Sequence, residues 1–141
     1  MSNPLTTYDG AELGHEICRG STHLSQTEID SFCALMGYDD PAFRADAAGG
    51  AVAPTSMALA FGLRLGWEEQ VFPPGVIRVG DENTYGVPAR AGDALTTTLV
   101  ITDRFERKGR RFLTYQMITT NQRHEQVCQV RFTAILPGGP Q

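Results

Sequence analysis

The sequence is poor in the cysteine patterns that build disulfide scaffolds and zinc sites. Only three cysteines occur in 141 residues, at positions 18, 33 and 128, and none belongs to a CxxC pair. Small disulfide-rich domains and zinc knuckles need paired or closely spaced cysteines. Cys33 and Cys128 fall on apolar faces of predicted elements, where cysteine packs as a small hydrophobic residue. We therefore expect reduced thiols, a cytoplasmic protein, and no metal or other cofactor.

The sequence also lacks a long apolar run and a long basic run. No stretch is apolar enough to span a membrane, and the first residues, MSNPLTTYDG, lack a signal-peptide pattern. Twelve basic and 16 acidic residues give a net charge of −4. The densest basic segment, RKGRR at 107–111, falls at a predicted hairpin turn and favours a solvated turn. We expect neither a membrane nor a nucleic acid as partner.

The length and the 41% hydrophobic content predict one globular domain with its own core. We place this domain at residues 10–137. The segments 1–9 and 138–141 are rich in small and polar residues, and we expect them to form flexible tails.

Two helices are predicted in the first half of the chain. Ser25 and Glu28 form a capping-box pattern, and Gly37 marks the end of the first helix. The apolar face of this helix comprises Ile29, Phe32, Cys33 and Met36. Pro54 marks the entry to the second helix, with Thr55 and Ser56 in its first turn. Residues 57–67 are apolar on nearly every side, which predicts a buried helix.

From about residue 76 the hydrophobic period changes to two, which indicates strands. The segments ALTTTLVIT, RRFLTYQMITT and QVCQVRFTAIL alternate apolar and polar residues, with turns at Lys108-Gly109 and near residues 121–123. These spacings predict a long antiparallel meander. A curved antiparallel sheet wrapped around a buried central helix satisfies both patterns, so the predicted fold class is α+β. The long exposed edge of such a sheet favours pairing with a second subunit.

Four segments resemble a known family. They are DDPAF at 39–43, AVAPTSMALAF at 51–61, NTYGVPARAGDAL at 83–95 and DRFERKGRRFLTYQMITTN at 103–121. They resemble the MaoC-like (R)-hydratase/dehydratase branch of the hotdog fold. The likeness is closest to FAS1-like N-terminal dehydratase halves and to small subunits of hydroxyacyl dehydratases. The resemblance implies a single hotdog domain that binds a 3-hydroxyacyl or 2-enoyl thioester of CoA or an acyl carrier protein. It also implies a homodimer or a heterodimer with another hotdog subunit.

The resemblance also implies where the reacting groups should lie. Catalytic members carry Gly-Asp-x-Asn-Pro-x-His between the helices, and their Asp and His move protons to and from the substrate. The corresponding stretch here is GYDDPAF, in which Tyr38 stands at the Asp position and Phe43 at the His position. Phe43 cannot carry a proton, and tyrosine titrates near pH 10 when unperturbed. The thioester carbonyl is expected at the start of the second helix, so we assign substrate binding to Pro54, Thr55, Ser56 and Phe43.

The sequence leaves three functions open. In the first, the chain lacks its own dyad and works with a catalytic hotdog partner. In the second, it is a stand-alone dehydratase, cyclase or thioesterase of specialised metabolism that uses Asp40 or Asp39, with Tyr38 orienting the substrate. In the third, it binds acyl thioesters without turnover. For Asp39 and Asp40, we favour the interpretation that they form a turn before Pro41. Small residues in the second helix, such as Ala58, Ala60 and Gly62, leave room for an acyl group or allow close packing on the sheet.

Overall fold

The computed structural model describes residues 7–138. This part of the chain forms five strands, two α-helices and a short 3-10 helix. In chain order they are β1 (Glu16–His23), α1 (Gln26–Met36), the 3-10 helix (Pro41–Phe43), α2 (Thr55–Glu68), β2 (Ile77–Tyr85), β3 (Ala94–Arg107), β4 (Arg110–Thr120) and β5 (Gln126–Ile135). Within it, no helix combines the length and the hydropathy needed to cross a membrane.

The five strands form one antiparallel sheet in the order β1-β3-β4-β5-β2. The predicted meander is confirmed for β3, β4 and β5. β2 does not continue it, because it pairs with β5 at the far edge of the sheet. This crossover leaves β2 with one free edge, and most of its residues are exposed.

The predicted start and end of α1 are confirmed. The Ser25 hydroxyl accepts a hydrogen bond from the Glu28 amide, and the Glu28 carboxylate accepts one from the Ser25 amide. Gly37 ends the helix in a left-handed conformation, with φ of 73°. The predicted apolar face is wrong at Met36, which is 48% exposed. The last turn of α1 lies at the rim, beside the 3-10 helix, so only the earlier turns reach the core.

α2 packs on the inner face of the sheet and forms the centre of the core. Its buried residues are Met57, Ala58, Gly62, Leu65 and Gly66. The expectation of burial on nearly every side holds for one face only, since Trp67 is 63% exposed. A five-stranded sheet can cover only one side of a helix, and the opposite side of α2 stays open in a single chain.

Close helix–sheet packing explains the glycine in the middle of α2. A Cβ atom on Gly62 would lie 2.9 Å from the Cβ of Met117 on β4, closer than side chains approach one another. Of the two alternatives that the sequence left open for this position, the structure supports close packing.

The strand faces follow the predicted alternation. Leu95, Thr97, Leu99 and Ile101 are buried on β3, and Leu113, Tyr115 and Met117 are buried on β4. The segment before β1 contacts the sheet, since the Arg104 guanidinium donates to the carbonyl oxygen of Tyr8 at 3.2 Å. The remainder of the predicted tails, residues 1–6 and 139–141, lies outside the described residues.

Candidate functional site

The loop between the helices is organised around the side chain of Tyr38. Its amide donates to the Cys33 carbonyl at 2.9 Å, which fixes the chain as it leaves α1. The Tyr38 ring lies between two phenylalanines, with centroid distances of 6.1 Å to both Phe32 and Phe43. The two positions at which the family dyad was expected, Tyr38 and Phe43, therefore lie side by side and contact each other as an aromatic pair.

The hydroxyl of Tyr38 reaches the first turn of α2. It lies 3.2 Å from the hydroxyl of Ser56, and either group can be the donor. This contact links residues 18 positions apart and brings together a predicted catalytic position and a predicted substrate-binding position. The loop and the start of α2 thus form one site.

The two adjacent aspartates have different environments. Asp40 precedes the 3-10 helix, and its carboxylate accepts a hydrogen bond from the Ala42 amide at 2.9 Å. This is the turn-forming role expected for an aspartate before Pro41. The carbonyl oxygen of Asp39 accepts from the Arg44 guanidinium at 2.9 Å. The Asp39 carboxylate makes no hydrogen bond or ion pair with residues 7–138, and its side chain is exposed.

The start of α2 presents free backbone donors. Pro54 is the N-cap residue and is buried, and its carbonyl accepts from the amides of Met57 and Ala58. The amides of Thr55 and Ser56 find no acceptor among residues 7–138, and both residues are exposed. Two N–H groups that lack an intrahelical acceptor at the positive end of a helix can bind a carbonyl oxygen or an anion.

A polar support that the sequence did not single out holds the segment before α2. The Arg90 guanidinium donates to the carbonyl oxygens of Gly49 and Gly50, at 3.2 and 3.0 Å. The buried Asp93 carboxylate accepts from the Arg90 amide at 2.8 Å and from the Gln122 amide group at 2.9 Å. Asp93 lies in the GDAL bend that carries part of the family resemblance, but only the tertiary structure reveals its partners. These bonds set the position at which the chain enters α2.

The nearest thiol is unsuited to nucleophilic chemistry. Burial raises the pKa of the Cys33 thiol, and the neighbouring Asp30 carboxylate raises it further. The thiol therefore stays protonated at neutral pH, whereas nucleophilic cysteines need a lowered pKa. No group of three or more His, Cys, Asp or Glu side chains in residues 7–138 has the arrangement of a metal site. The polar groups of the loop and the start of α2 include hydroxyls, carboxylates, the Arg44 guanidinium and backbone amides.

Comparison with known proteins identifies the family of this chain. The family model for the FAS1-like dehydratase domain region matches residues 11–130. No curated protein matches the chain.

Several solved structures share its fold. The (R)-hydratase PhaJ1 of Pseudomonas aeruginosa is 21% identical, with a TM-score of 0.76 over 92% of this chain and 84% of that chain. An (R)-hydratase of A. caviae, involved in PHA biosynthesis, is 25% identical, with a TM-score of 0.70 over 89% and 97%. The 3R-hydroxyacyl-ACP dehydratase complex HadBC of Mycobacterium tuberculosis is 24% identical, with a TM-score of 0.66 over 83% and 90%.

The family match spans most of the chain, and the solved structures share its fold over most of its length. The chain therefore has the α+β hotdog fold, which it shares with (R)-hydratases, and belongs to the FAS1-like dehydratase family.

Proposed function

We propose that this chain is the dyad-less subunit of a two-chain dehydratase or enoyl hydratase. It binds a 3-hydroxyacyl or 2-enoyl thioester, and a hotdog partner supplies the Asp and His that move protons. The supporting observation is the Tyr38–Phe43 pair. The loop contacts α2 through Tyr38, and the two positions assigned to the dyad hold aromatic rings 6.1 Å apart.

The chemistry explains why these residues need a partner. Dehydration requires a base that removes the α-proton and an acid that protonates the departing hydroxyl, which leaves as water. Phe43 has no titratable group. Asp40 is engaged as the cap of the 3-10 helix, which gives its carboxylate a structural role.

The start of α2 gives the chain a role in binding. The amides of Thr55 and Ser56 point out of the helix start, where they can donate to a thioester carbonyl oxygen. Negative charge on that oxygen is stabilised by the two donors and by the helix dipole. Tyr38, held against Ser56, forms one wall of this position.

The free edge of β2 supports pairing with a second hotdog chain. Ile77, Val79 and Tyr85 are 57%, 50% and 44% exposed along this strand. An uncovered edge with apolar side chains favours pairing with another strand. HadBC, which shares the fold, is described as a complex.

The test is an assay of crotonyl-CoA hydration, followed by loss of the enoyl absorbance. Three samples are assayed: this chain alone, a catalytic MaoC-like partner alone, and the two together. We expect no turnover by this chain alone, and co-elution and increased turnover with the partner. Turnover by the purified chain alone would contradict the proposal.

A second experiment restores the missing groups. The double variant Tyr38→Asp/Phe43→His rebuilds the dyad pattern of the family in this loop. Because the two positions are neighbours, we expect the double variant to gain hydratase activity that neither single variant has. The single variants are matched controls, since each changes the aromatic pair without completing the dyad.

One alternative also has a structural observation in its favour. The Asp39 carboxylate is exposed and unpaired within residues 7–138, so it is available as a base in a stand-alone enzyme with altered chemistry. In that case Asp39→Asn abolishes turnover by the isolated chain, and Asp40→Asn tests the other carboxylate in the same way. A non-enzymatic binding module instead predicts thioester binding without turnover under any pairing.

A further inference from the structure

The tip of the β3–β4 hairpin carries a charge opposite to that of the rest of the chain. We define the hairpin tip as residues 103–111. It contains five basic and two acidic residues, a charge of +3, whereas the total of −4 leaves −7 on the rest of the chain. A local reversal of this size creates a positive potential that attracts acidic surfaces.

The cations at the outermost turn are not neutralised by the described part of the chain, residues 7–138. Lys108 and Arg110 are exposed and make no ion pair with residues 7–138. The Arg107 guanidinium lies 5.5 Å from the centre of the Phe105 ring. This cation–π contact positions the guanidinium but does not neutralise its positive charge. By contrast, Arg111 pairs with Glu106 at 3.3 Å. Three uncompensated cations therefore project from the turn.

The hairpin presents these cations on a rigid support. The rings of Phe105 and Phe112 stack across the two strands at 4.8 Å with an interplanar angle of 6°. Lys108 and Gly109 form a tight two-residue turn, with φ of 51° and 74°. A fixed cluster of charges loses little entropy when a partner binds.

The hairpin tip is too far from the candidate site of its own chain to present a ligand to it. The start of α2 lies beside the start of β3, since the Ala53 amide donates to the Ala89 carbonyl and the Ala91 amide to that of Ala51. The tip lies at the other end of β3, which has 14 residues and therefore spans roughly 40 Å at 3.3 Å per residue. Pairing through β2 about a two-fold axis makes the two β2 strands antiparallel. The hairpin tip of one chain then lies at the same end of the joint sheet as the α2 start of the other.

We propose that the hairpin tip docks an acidic protein that carries the thioester and presents it to the site of the paired subunit. This proposal rests on the proposed function. The shape of the tip distinguishes a protein from a small ligand. Small-molecule sites are concave, whereas this cluster projects from a two-residue turn and can meet only a surface that approaches it. Exposed complementary charges of this kind mainly accelerate and orient encounter.

The test compares two double variants with the parent protein. Lys108→Gln/Arg110→Gln removes two charges from the hairpin tip. Arg19→Gln/Arg123→Gln removes two charges elsewhere, from exposed side chains that pair with Glu16 and Glu125. The probe is an apo acyl carrier protein with a fluorescent label, and binding is followed by anisotropy at low ionic strength. We expect the hairpin variant to bind about tenfold more weakly and the control variant to bind like the parent.

Two further measurements complete the design. The affinity of the parent for the carrier should fall as salt is added, since exposed charges are screened. Crotonyl-CoA should bind the hairpin variant and the parent alike. Equal carrier binding by the hairpin and control variants would overturn the proposal. So would a parallel loss of crotonyl-CoA affinity in the hairpin variant, because the tip would then be a site for the phosphates of CoA.

The failure of the proposed function would look different. Amide chemical shifts in the ¹⁵N-labelled chain distinguish a failure of carrier docking from a failure of thioester binding. If crotonyl-CoA leaves the amide chemical shifts of Tyr38, Thr55 and Ser56 unchanged, thioester binding by this chain is contradicted. The apo carrier has no acyl group, so its effect on residues 103–111 reports docking alone.

Discussion

The hydroxyl oxygens of Tyr38 and Ser56 lie 3.2 Å apart and join the inter-helix loop to the first turn of α2. Ser56 is exposed and Tyr38 is 37% exposed, so this contact lies at the mouth of the site. The Tyr38 side chain thus joins the loop to the start of α2, where thioester binding is proposed.

The first prediction concerns this hydrogen bond. A double-mutant cycle with Tyr38→Phe and Ser56→Ala should give a coupling energy of about 0.5–1.5 kcal/mol in urea unfolding, as expected for one neutral hydrogen bond. Hydrogen exchange of the amides at 39–44 should accelerate in each single variant and no further in the double variant. Additive effects of the two substitutions would mean that the hydroxyls do not interact in solution.

The second prediction separates structure from chemistry at Asp40. Asp40→Ala should cost about 1 kcal/mol of unfolding free energy, because it leaves the Ala42 amide without its acceptor. Asp40→Asn keeps an oxygen acceptor and should cost less. With the catalytic partner present, both variants should hydrate crotonyl-CoA at the parental kcat. A loss of kcat in Asp40→Asn with unchanged stability would falsify the structural assignment of this carboxylate.

The third prediction tests the close approach of α2 to the sheet. Gly62→Ala should destabilise the protein by about 1–3 kcal/mol, because its Cβ would lie 2.9 Å from the Cβ of Met117. Gly80→Ala is the matched control, since a Cβ there has no neighbour within 4 Å. Thermal or urea unfolding measures both. If Gly62→Ala is as stable as Gly80→Ala, the helix does not pack on β4 as closely as described.

The fourth prediction follows from the thiol of Cys18. Burial, together with the neighbouring carboxylates of Glu69 and Glu16, raises the pKa of Cys18 to about 11. A thiol whose folded pKa exceeds its unfolded value favours the folded state below the unfolded pKa of 9.0, and loses that contribution as pH rises through 11. Iodoacetamide at pH 8 should therefore label Cys18 in the native protein much more slowly than in the urea-unfolded protein.

A matched variant isolates this effect in stability measurements. Cys18→Ser has no group that titrates in the same range. Between pH 9 and 11 the parent should lose more unfolding free energy than the serine variant does. Parallel pH profiles for the two proteins would show that Cys18 does not contribute.

Local signals predicted the elements well wherever their cause was local. The capping box at Ser25 and Glu28, the left-handed Gly37 and the turn at Lys108-Gly109 all depend on residues within a few positions of one another. The alternation along β3 and β4 predicted which side chains are buried. Met36 and Trp67 were misjudged because hydrophobic periodicity gives the apolar face of a helix, but not how far the sheet beneath it extends.

The candidate site shows the same division. The sequence located the loop at 38–43 and the helix entry at 54–56, and the family resemblance connected them. It did not predict that Tyr38 bonds to Ser56, nor that Arg90 and Asp93 hold the entry to α2. The two long-range contacts join residues 18 and 41 positions apart, and the buried Asp93 carboxylate also accepts from Gln122, which lies in the turn between β4 and β5.

The sequence by itself determined the fold class, the two helices, the three long strands and the residue types at positions 38 and 43, because these follow from residue type and short-range spacing. Only the tertiary structure decided that β2 crosses to the free edge, that Gly62 serves packing, and that the basic hairpin tip lies far from its own site. The physical reason is that strand order, helix–sheet distance and separation in space depend on contacts between residues distant in the chain, which no local pattern records.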